Sequence, residues 1–370
     1  MLENFIMCPK CEDTLVKINE QSYSCNSCKV EFPNYNGIID LRNLSSDNTK
    51  GFSLEKDFAI GQILLKNFAK FENYNGLKFM YEKIAEYFEE ASYDYKPISN
   101  HEISKILDLS REHDLPMSES QSIHGYDILK KINLYLKEFN YDPYPNNICV
   151  ENGGGLGSFL EGLSKNFKNT IFIDFSFAYT VLAKKLCEEK KLLNVYLLCA
   201  NVEKLPIKSK SIDLIHSNNV IEHVTNQNKM ISEISRTLSS KGLLFLLSPN
   251  KFSAYFEPHF TFPFYGFIPF KLRKWLIYKM QKRDCREVSL LGFKELKDIF
   301  KANFSGYFQI TFLPSKLKRA AQAGYLRKII IFFLNNKFLG TLFSLVINKI
   351  LIGIMPYHVI IAKKNNPSPK

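Results

Sequence analysis

The chain has 370 residues, of which 45% are hydrophobic and 23% charged, and its formal net charge is +12. This composition is that of a globular protein with room for a sizeable core and more than one domain. The sequence starts without the basic and apolar segments of a secretory signal, so we expect a cytoplasmic protein.

The positive charge is concentrated in the last third of the chain. Residues 251–370 contain 21 Lys and Arg against 5 Asp and Glu, and no acidic residue follows Asp298. This asymmetry favours an anionic partner, which could be a membrane surface, a phosphorylated lipid or RNA. The alternative is that the lysines only keep the protein soluble.

Four of the eight cysteines form two C-x2-C pairs near the N-terminus. Cys8 and Cys11 make the first pair, and Cys25 and Cys28 make the second, with thirteen residues between the pairs. Two knuckles that each present two thiolates can surround one Zn²⁺ tetrahedrally, and a site with four protein ligands is structural rather than catalytic. The alternative is a redox-active dithiol pair. Because so small a unit has little core, we expect the metal to supply much of its folding energy.

The segment "MCPKC…YSCNSCKVEFPNYNGIIDL" resembles the zinc-ribbon family that includes the small activator subunit of tRNA and translation-factor methyltransferases. All four cysteines are present, and the family pattern ends in the segment that reads "FPNYNGIIDL" here. The resemblance implies a binding or docking role rather than a reaction.

Strands and helices alternate from Asn147 onward, which predicts an open parallel sheet with helices on both faces. Its candidate strands are "ICVE", "TIFID", "VYLLC", "IDLIHS" and "GLLFLLSP". The preceding residues have apolar positions at helical spacing. The predicted organisation is a zinc ribbon over 1–42, a helical linker over 43–140, an α/β core over 141–250, a cap over 251–290, a helix and strand over 291–313, a helical insertion over 314–355, and a last strand with a tail over 356–370.

The glycine-rich turn "ENGGGLG" follows the first of these strands and lets the backbone approach a ligand closely. Glu151, Gly153, Gly155 and Gly157 make the pattern E-x-G-x-G-x-G. Turns of this kind also bind NAD or FAD, whose pyrophosphate lies at a helix N-terminus. Asp174, at the end of the second strand, could hold ribose hydroxyls in either case, so the turn alone leaves the ligand open.

Three downstream segments favour one ligand, because in order and spacing they resemble the class I S-adenosylmethionine (SAM) methyltransferases, of the broad group that methylates small molecules, lipids and other acceptors. The segments are "IFIDFSFAYTVLAKKL", "LLCANVEKLPIKSKSIDLIHSNNVIEHV" and "MISEISRTLSSKGLLFLLSPN". The resemblance implies an α/β, Rossmann-like sheet of seven strands, of which the last is antiparallel, and SAM as the cofactor.

The resemblance also implies a set of cofactor-binding residues, which are Glu151, Gly153, Gly155, Gly157, Asp174, Asn201, Val202 and Asn218. Glu151 and Asn218 would lie near the methionine end of SAM, and Asp174 would hold the ribose hydroxyls. Asn201 and Val202 would contact the adenine, and the glycines would let the backbone approach the cofactor.

Two residues depart from the family pattern. Asn201 stands where the family usually has Asp, and Asn152 occupies a strand-end position that is normally apolar. In addition, the "PGG" turn of the family keeps only one of its two glycines, Gly242 in "SSKG". These departures leave a non-catalytic SAM-fold scaffold as an alternative.

Transfer of a methyl group to oxygen needs a group that removes the acceptor proton, because the cofactor carries the rest of the chemistry. Candidates follow the fourth and fifth strands, at the sheet edge where ligands bind. They are Glu222 and His223 in "NVIEHV", and Glu257 and His259 in "AYFEPHF". Either histidine could instead only fix its loop, and His216, on a strand, is expected to be structural.

The C-terminal third contains two unusual segments. Residues 251–290 mix aromatic with basic residues, and we predict a cap that suits a phosphate-bearing or lipid-linked acceptor. Residues 314–355 are apolar with one polar stripe and basic flanks, which favours a membrane interface over packing on the core. Lys337 and Lys349 interrupt this segment, so we predict no transmembrane helix.

The sequence therefore predicts a SAM-dependent methyltransferase with a structural zinc ribbon. Its expected acceptor is a small molecule, a glycan or a lipid-linked compound, methylated on oxygen, with peripheral contact to the inner face of an anionic membrane. An RNA methyltransferase is the first alternative, on account of the ribbon and the positive charge. The non-catalytic scaffold is the second.

Overall fold

A computed structural model of the chain describes residues 2–42, 53–66, 147–253, 256–257, 260, 262–281, 288–306, 308–311, 353–354 and 357–364. Most of the predicted helical linker and most of the predicted insertion over 314–355 lie outside these residues. His259 lies outside them as well.

Four short antiparallel strands follow one another at the N-terminus. They are β1 (Leu15–Asn19), β2 (Ser22–Cys25), β3 (Glu31–Tyr35) and β4 (Ile38–Asp40). Asn36 and Gly37 connect the last two strands with φ values of 52° and 89°. Asn-Gly is the residue pair that best tolerates two left-handed positions in a row, so this pair fixes a tight two-residue hairpin.

The α/β core contains seven strands in the spatial order β7-β6-β5-β8-β9-β13-β12. The strands after β4 are β5 (Ile148–Asn152), β6 (Asn169–Asp174), β7 (Val195–Cys199), β8 (Ile212–Asn218), β9 (Leu238–Pro249), a short hairpin of β10 (Phe256–Glu257) and β11 (Phe262–Pro263), β12 (Phe308–Thr311) and β13 (Tyr357–Lys363). Strand β13 runs antiparallel to both of its neighbours. The predicted Rossmann-like sheet with an antiparallel last strand is therefore confirmed.

Helices cover both faces of this sheet, as predicted. The described helices are α1 (Leu54–Lys66), α2 (Leu160–Asn166), α3 (Phe177–Glu189), α4 (Gln227–Thr237), α5 (Phe270–Gln281) and α6 (Phe293–Asn303). Apolar side chains of α4 and α6, such as Ile234 and Phe300, pack on one face, and those of α1 and α3, such as Ile60 and Val181, pack on the other. Among the described helices, none is long and apolar enough to cross a membrane.

The sheet is longer than the seven strands expected, because the ribbon extends it to eleven. Strand β4 pairs in parallel with β7, and the register places Ile38 beside Leu197 and Ile39 beside Leu198. The alternation of inward side chains continues across this junction, so the ribbon shares the main core instead of folding around the cysteines alone. Strand β4 also covers an edge of β7 whose backbone groups would otherwise lack partners in the sheet.

Strand β9 begins at Leu238, four residues before the predicted start at Gly242. Leu238 pairs with Ile212, the register then shifts, and Leu243 pairs with Leu214. A Cβ atom at Gly242 would come within 2.8 Å of the Ile212 carbonyl oxygen, so glycine permits this close approach. The turn that the family pattern implies around Gly242 is therefore a bulge inside a longer strand.

Candidate functional site

The glycine turn lies at the carboxyl end of β5 and packs tightly against the neighbouring segments. Gly153, Gly155 and Gly157 have φ values of 73°, 52° and 79°, which favour glycine. A Cβ atom at Gly153 would lie 2.4 Å from the Val220 side chain. At Gly155 the same atom would have no residue of the described ranges within 4 Å, so a ligand could approach the backbone here.

Asp174 ends β6 directly beside this turn. One carboxylate oxygen accepts a hydrogen bond from the Gly155 amide at 2.7 Å, and the other accepts from the Ser176 amide at 2.8 Å. Burial raises the pKa of this carboxyl group to about 6. At neutral pH the group is therefore ionised, and each oxygen keeps a further lone pair for a ligand hydroxyl.

Glu151 and His216 form a buried pair across the adjacent strands β5 and β8. Glu151 Oε2 lies 2.8 Å from His216 Nδ1, and the two residues are direct neighbours in the strand register. The imidazole packs between the rings of Phe159 and Phe245, at centroid distances of 4.5 and 5.8 Å. His216 was expected only to be structural, whereas here it orients a predicted cofactor residue. The sequence carries no signal for this pairing, because the register of two parallel strands has no local signature.

Three residues at or directly after the ends of β5 and β8 carry amide side chains. Among the residues that the structure describes, Asn152, Asn218 and Asn219 have side-chain oxygens without a hydrogen-bond donor. Buried acceptors normally have a donor, and Asn218 and Asn219, which are only half-buried, could offer these oxygens to the ammonium or hydroxyl groups of a ligand. Asn152, the unusual polar residue at the strand end, is fully buried, and its carbonyl oxygen accepts a hydrogen bond from the Ser217 hydroxyl at 3.1 Å.

The loop after β7 brings the predicted adenine-binding residues close to Asp174. The Ala200 amide donates to the Asp174 carbonyl oxygen at 2.8 Å. The side-chain oxygen of Asn201 accepts from the Glu203 amide at 2.8 Å and closes its own turn, while Val202 is buried. Contact of this loop with adenine stays a prediction.

The predicted catalytic residues differ in what the structure describes. Glu222 is fully buried, and its carboxylate lies 4.0 Å from Nε2 of the partly exposed His223. The Glu222 carbonyl oxygen also accepts from the Ser289 amide at 2.8 Å, which joins the region of the predicted cap to this loop. Glu257 lies in β10, but its side chain is not among those described, and His259 falls outside the described ranges.

The four cysteines of the ribbon converge on one point. All four sulfur atoms lie within 4.8 Å of one another, with 3.6 Å between those of Cys8 and Cys28 and 3.3 Å between those of Cys11 and Cys25. Zn–S bonds of 2.3 Å in a tetrahedron separate the sulfurs by about 3.8 Å. The cluster therefore has the ligand number and nearly the spacing of a tetrahedral thiolate site.

The two cysteine turns have the same backbone geometry. The Glu12 amide donates to the Cys8 carbonyl oxygen at 2.8 Å, and the Lys29 amide donates to that of Cys25 at 3.2 Å. Both donors follow the second cysteine of their pair, and their φ values are 65° and 56°. This repeated turn is the pair of knuckles that the cysteine spacing predicts.

Comparison with known proteins agrees with this geometry. Residues 150–246 match the family model described as a methyltransferase domain. An uncharacterised protein of Methanocaldococcus jannaschii is 36% identical over 134 residues, which are 36% of this chain and 54% of that protein. A ubiquinone biosynthesis O-methyltransferase of Coxiella burnetii is 26% identical over 160 residues, 43% of this chain and 66% of the enzyme. The chain thus spans between half and two thirds of the length of these relatives.

Among solved structures, the phosphoethanolamine N-methyltransferase 2 of Haemonchus contortus with S-adenosyl-L-methionine aligns with a TM-score of 0.42 at 16% identity. The alignment covers 64% of this chain and 52% of that one. Residues 150–246 therefore carry a methyltransferase domain, and the strand order and the glycine turn are those expected of the class I SAM-dependent methyltransferase fold.

Proposed function

We propose that this protein transfers the methyl group of SAM to an oxygen atom of a small-molecule, glycan or lipid-linked acceptor. The observation that carries this proposal is the contact between Asp174 and the Gly155 amide at the carboxyl edge of the sheet. It joins an ionised carboxylate suited to ribose hydroxyls with a glycine turn that a ligand could approach. When bound, SAM supplies a methyl group that its sulfonium already activates.

The polar groups around the turn complement the rest of SAM. The Glu151 carboxylate, held by His216, provides negative charge near the predicted position of the methionine ammonium group. The amide oxygens of Asn218 and Asn219 supply further acceptors at the same edge. Asp174 and the loop of Asn201 and Val202 would hold the nucleoside.

Oxygen is the proposed acceptor atom for two reasons. The Coxiella relative is named an O-methyltransferase, and a histidine lies at the expected edge of the sheet. As the methyl–sulfur bond breaks and the methyl–oxygen bond forms, His223 would take the acceptor proton. Glu222, whose buried carboxylate lies 4.0 Å from Nε2 of His223, stays a predicted catalytic residue. His259 remains the second predicted base.

Zn²⁺ is proposed as the resident metal of the ribbon. The four sulfur ligands leave no position for water or substrate, so the metal would act structurally. We further propose a cytoplasmic location with peripheral contact to an anionic membrane, on the basis of the uneven charge of the chain.

A labelling experiment tests the reaction and separates it from its alternatives. The full chain is incubated with SAM that carries a tritiated methyl group and with a lipid extract, a glycan fraction or total RNA. We expect label in the lipid or glycan fraction for the wild type and none for Asp174→Ala. Label confined to RNA would support the RNA methyltransferase, while a folded protein that neither binds SAM nor labels any fraction would support the scaffold.

A further inference from the structure

The segment that includes α5 is anchored at the carboxyl edge of the sheet, beside the candidate site. The chain that follows the segment returns to this edge, where the Lys251 amide donates to the Leu291 carbonyl oxygen at 3.1 Å. The Ser289 amide donates to the Glu222 carbonyl oxygen in the same region. The near end of the segment lies against the same strand exit, because a Cβ atom at Gly266 would approach the Lys251 carbonyl oxygen to 2.2 Å. The segment is therefore fixed to the edge where ligands bind.

This segment exposes a concentration of large apolar side chains. Of the eleven exposed large hydrophobic residues in the described ranges, seven lie between residues 264 and 280. They include the only tryptophan of the chain, Trp275, and three phenylalanines. Tyr265 and Ile277 from the same segment are buried, which shows that the segment has an inner side as well. Six of these seven residues define what we call the cap face: Phe264, Phe267, Phe270, Leu272, Trp275 and Tyr278.

Basic residues accompany these side chains along the segment. Lys271 and Lys279 are exposed and Lys274 is half-buried, and no Asp or Glu occurs from residue 258 to residue 283. The Lys279 ammonium lies 4.9 Å from the Trp275 ring, so cationic and aromatic groups interleave on the surface. Arg273 instead packs inward over Tyr265, at 4.2 Å from the ring, and donates to its carbonyl oxygen.

We propose that the cap face binds the surface of an anionic lipid bilayer. Tryptophan, tyrosine and phenylalanine insert at the boundary between headgroups and acyl chains, and lysines at their flanks attract anionic headgroups. The charge of the cap face thus complements that of the proposed partner. The inference rests on the proposed function in one respect, because a lipid-linked acceptor would reach the carboxyl edge of the sheet from this surface. The sequence predicts membrane contact for residues 314–355, whereas the exposed side chains favour residues 264–280.

Co-sedimentation of the full chain with vesicles tests this inference. We expect binding to phosphatidylcholine vesicles that contain phosphatidylglycerol and much weaker binding to phosphatidylcholine alone. Phe267→Ser with Trp275→Ser, and separately Lys271→Glu with Lys274→Glu, should each reduce the bound fraction about tenfold or more.

Matched controls lie elsewhere on the surface. Leu193→Ser removes an apolar side chain that is 94% exposed, and Lys229→Glu reverses an exposed charge on α4; both should leave vesicle binding unchanged. An absence of vesicle binding, or equal losses of binding in the controls, would overturn the inference. So would binding to RNA that the two double variants abolish and the controls retain. SAM binding in the absence of lipid is measured on the same samples, so failure of the membrane surface is distinguished from failure of the methyltransferase proposal.

Discussion

Arg42, two residues after the last strand of the ribbon, donates a hydrogen bond at 3.0 Å to Asp57 of α1, and both side chains are completely buried. The same guanidinium bonds to both oxygens of Asp40 and reaches the Phe175 carbonyl oxygen at 3.2 Å. Phe175 directly follows Asp174, the residue proposed to bind the ribose of SAM. This cluster therefore connects the ribbon with the end of β6.

The other half of the cluster caps helix α3. Asp57 accepts hydrogen bonds from the backbone amides of Phe177 and Ala178, at 2.8 and 3.3 Å, and from the Ser176 hydroxyl. Carboxylates at a helix N-terminus satisfy free amides and complement the helix dipole. A residue distant in sequence thus holds the turn between Asp174 and α3 in place.

Replacement of Asp57 by alanine should lower the free energy of unfolding by about 3 kcal/mol, because it leaves Arg42 with one carboxylate fewer and the α3 amides without an acceptor. Urea denaturation followed by circular dichroism measures this change. Glu55→Ala alters an exposed acid in the first turn of the same helix and should cost less than about 0.5 kcal/mol. Similar losses in the two variants would contradict the role of the cluster.

Removal of zinc should weaken SAM binding as well as the fold. The N-terminal unit contacts both loops that are predicted to hold the nucleoside of SAM, since Arg42 donates to the Phe175 carbonyl oxygen and the Met7 amide donates to the Pro206 carbonyl oxygen at 3.0 Å. We expect one zinc per chain by elemental analysis, and a loss of metal together with at least about tenfold weaker SAM binding in Cys11→Ser with Cys28→Ser. Metal-free protein that binds SAM with unchanged affinity would show that the ribbon does not support the site.

Binding of SAM should depend on the ionisation of Asp174. The pKa of this buried carboxyl group is about 6, and only the ionised form offers acceptors to both ribose hydroxyls. Affinity should therefore fall below pH 6, by up to about tenfold per pH unit. Asp174→Asn should bind weakly at every pH, without this dependence. An unchanged pH profile in Asp174→Asn would assign the titration to another group.

Ionisation of the Asp174 carboxyl group, which should favour SAM binding, should lower the stability of the SAM-free protein. Its pKa is raised from the usual 3.8 to about 6, so the folded protein binds the proton more tightly than the unfolded chain. The contribution of Asp174 to stability is therefore present below pH 4 and is lost as the pH rises through 6. In the absence of SAM, Asp174→Asn should flatten this part of the pH–stability curve relative to the wild type, as measured by urea denaturation.

The Glu151–His216 pair gives a separate prediction for the methionine end of SAM. Glu151→Gln keeps the size of the side chain but removes its charge, so SAM affinity should fall about tenfold while the fold is retained. His216→Phe should also weaken SAM binding, since Glu151 loses the partner that holds it at 2.8 Å. Calorimetry with SAM measures both effects. Full affinity in Glu151→Gln would remove this residue from the site.

The core of the fold follows from local sequence patterns, and the connections that complete it do not. The glycine turn and the alternation of strands and helices predict β5 to β9 and the position of Asp174 with good accuracy. The parallel pairing of β4 with β7 and the contact of Arg42 with Asp57 join distant segments, and neither has a local signature. The cysteine spacing predicts the ribbon but not its place in the sheet.

Calorimetric titration of the purified full chain with SAM tests the central claim most directly. We predict a micromolar dissociation constant for the wild type, loss of binding in Asp174→Ala, and wild-type binding in Asp298→Ala, which removes an exposed acid on α6. Absence of SAM binding by the folded wild-type protein, or equal binding by Asp174→Ala, would contradict the assignment of this site.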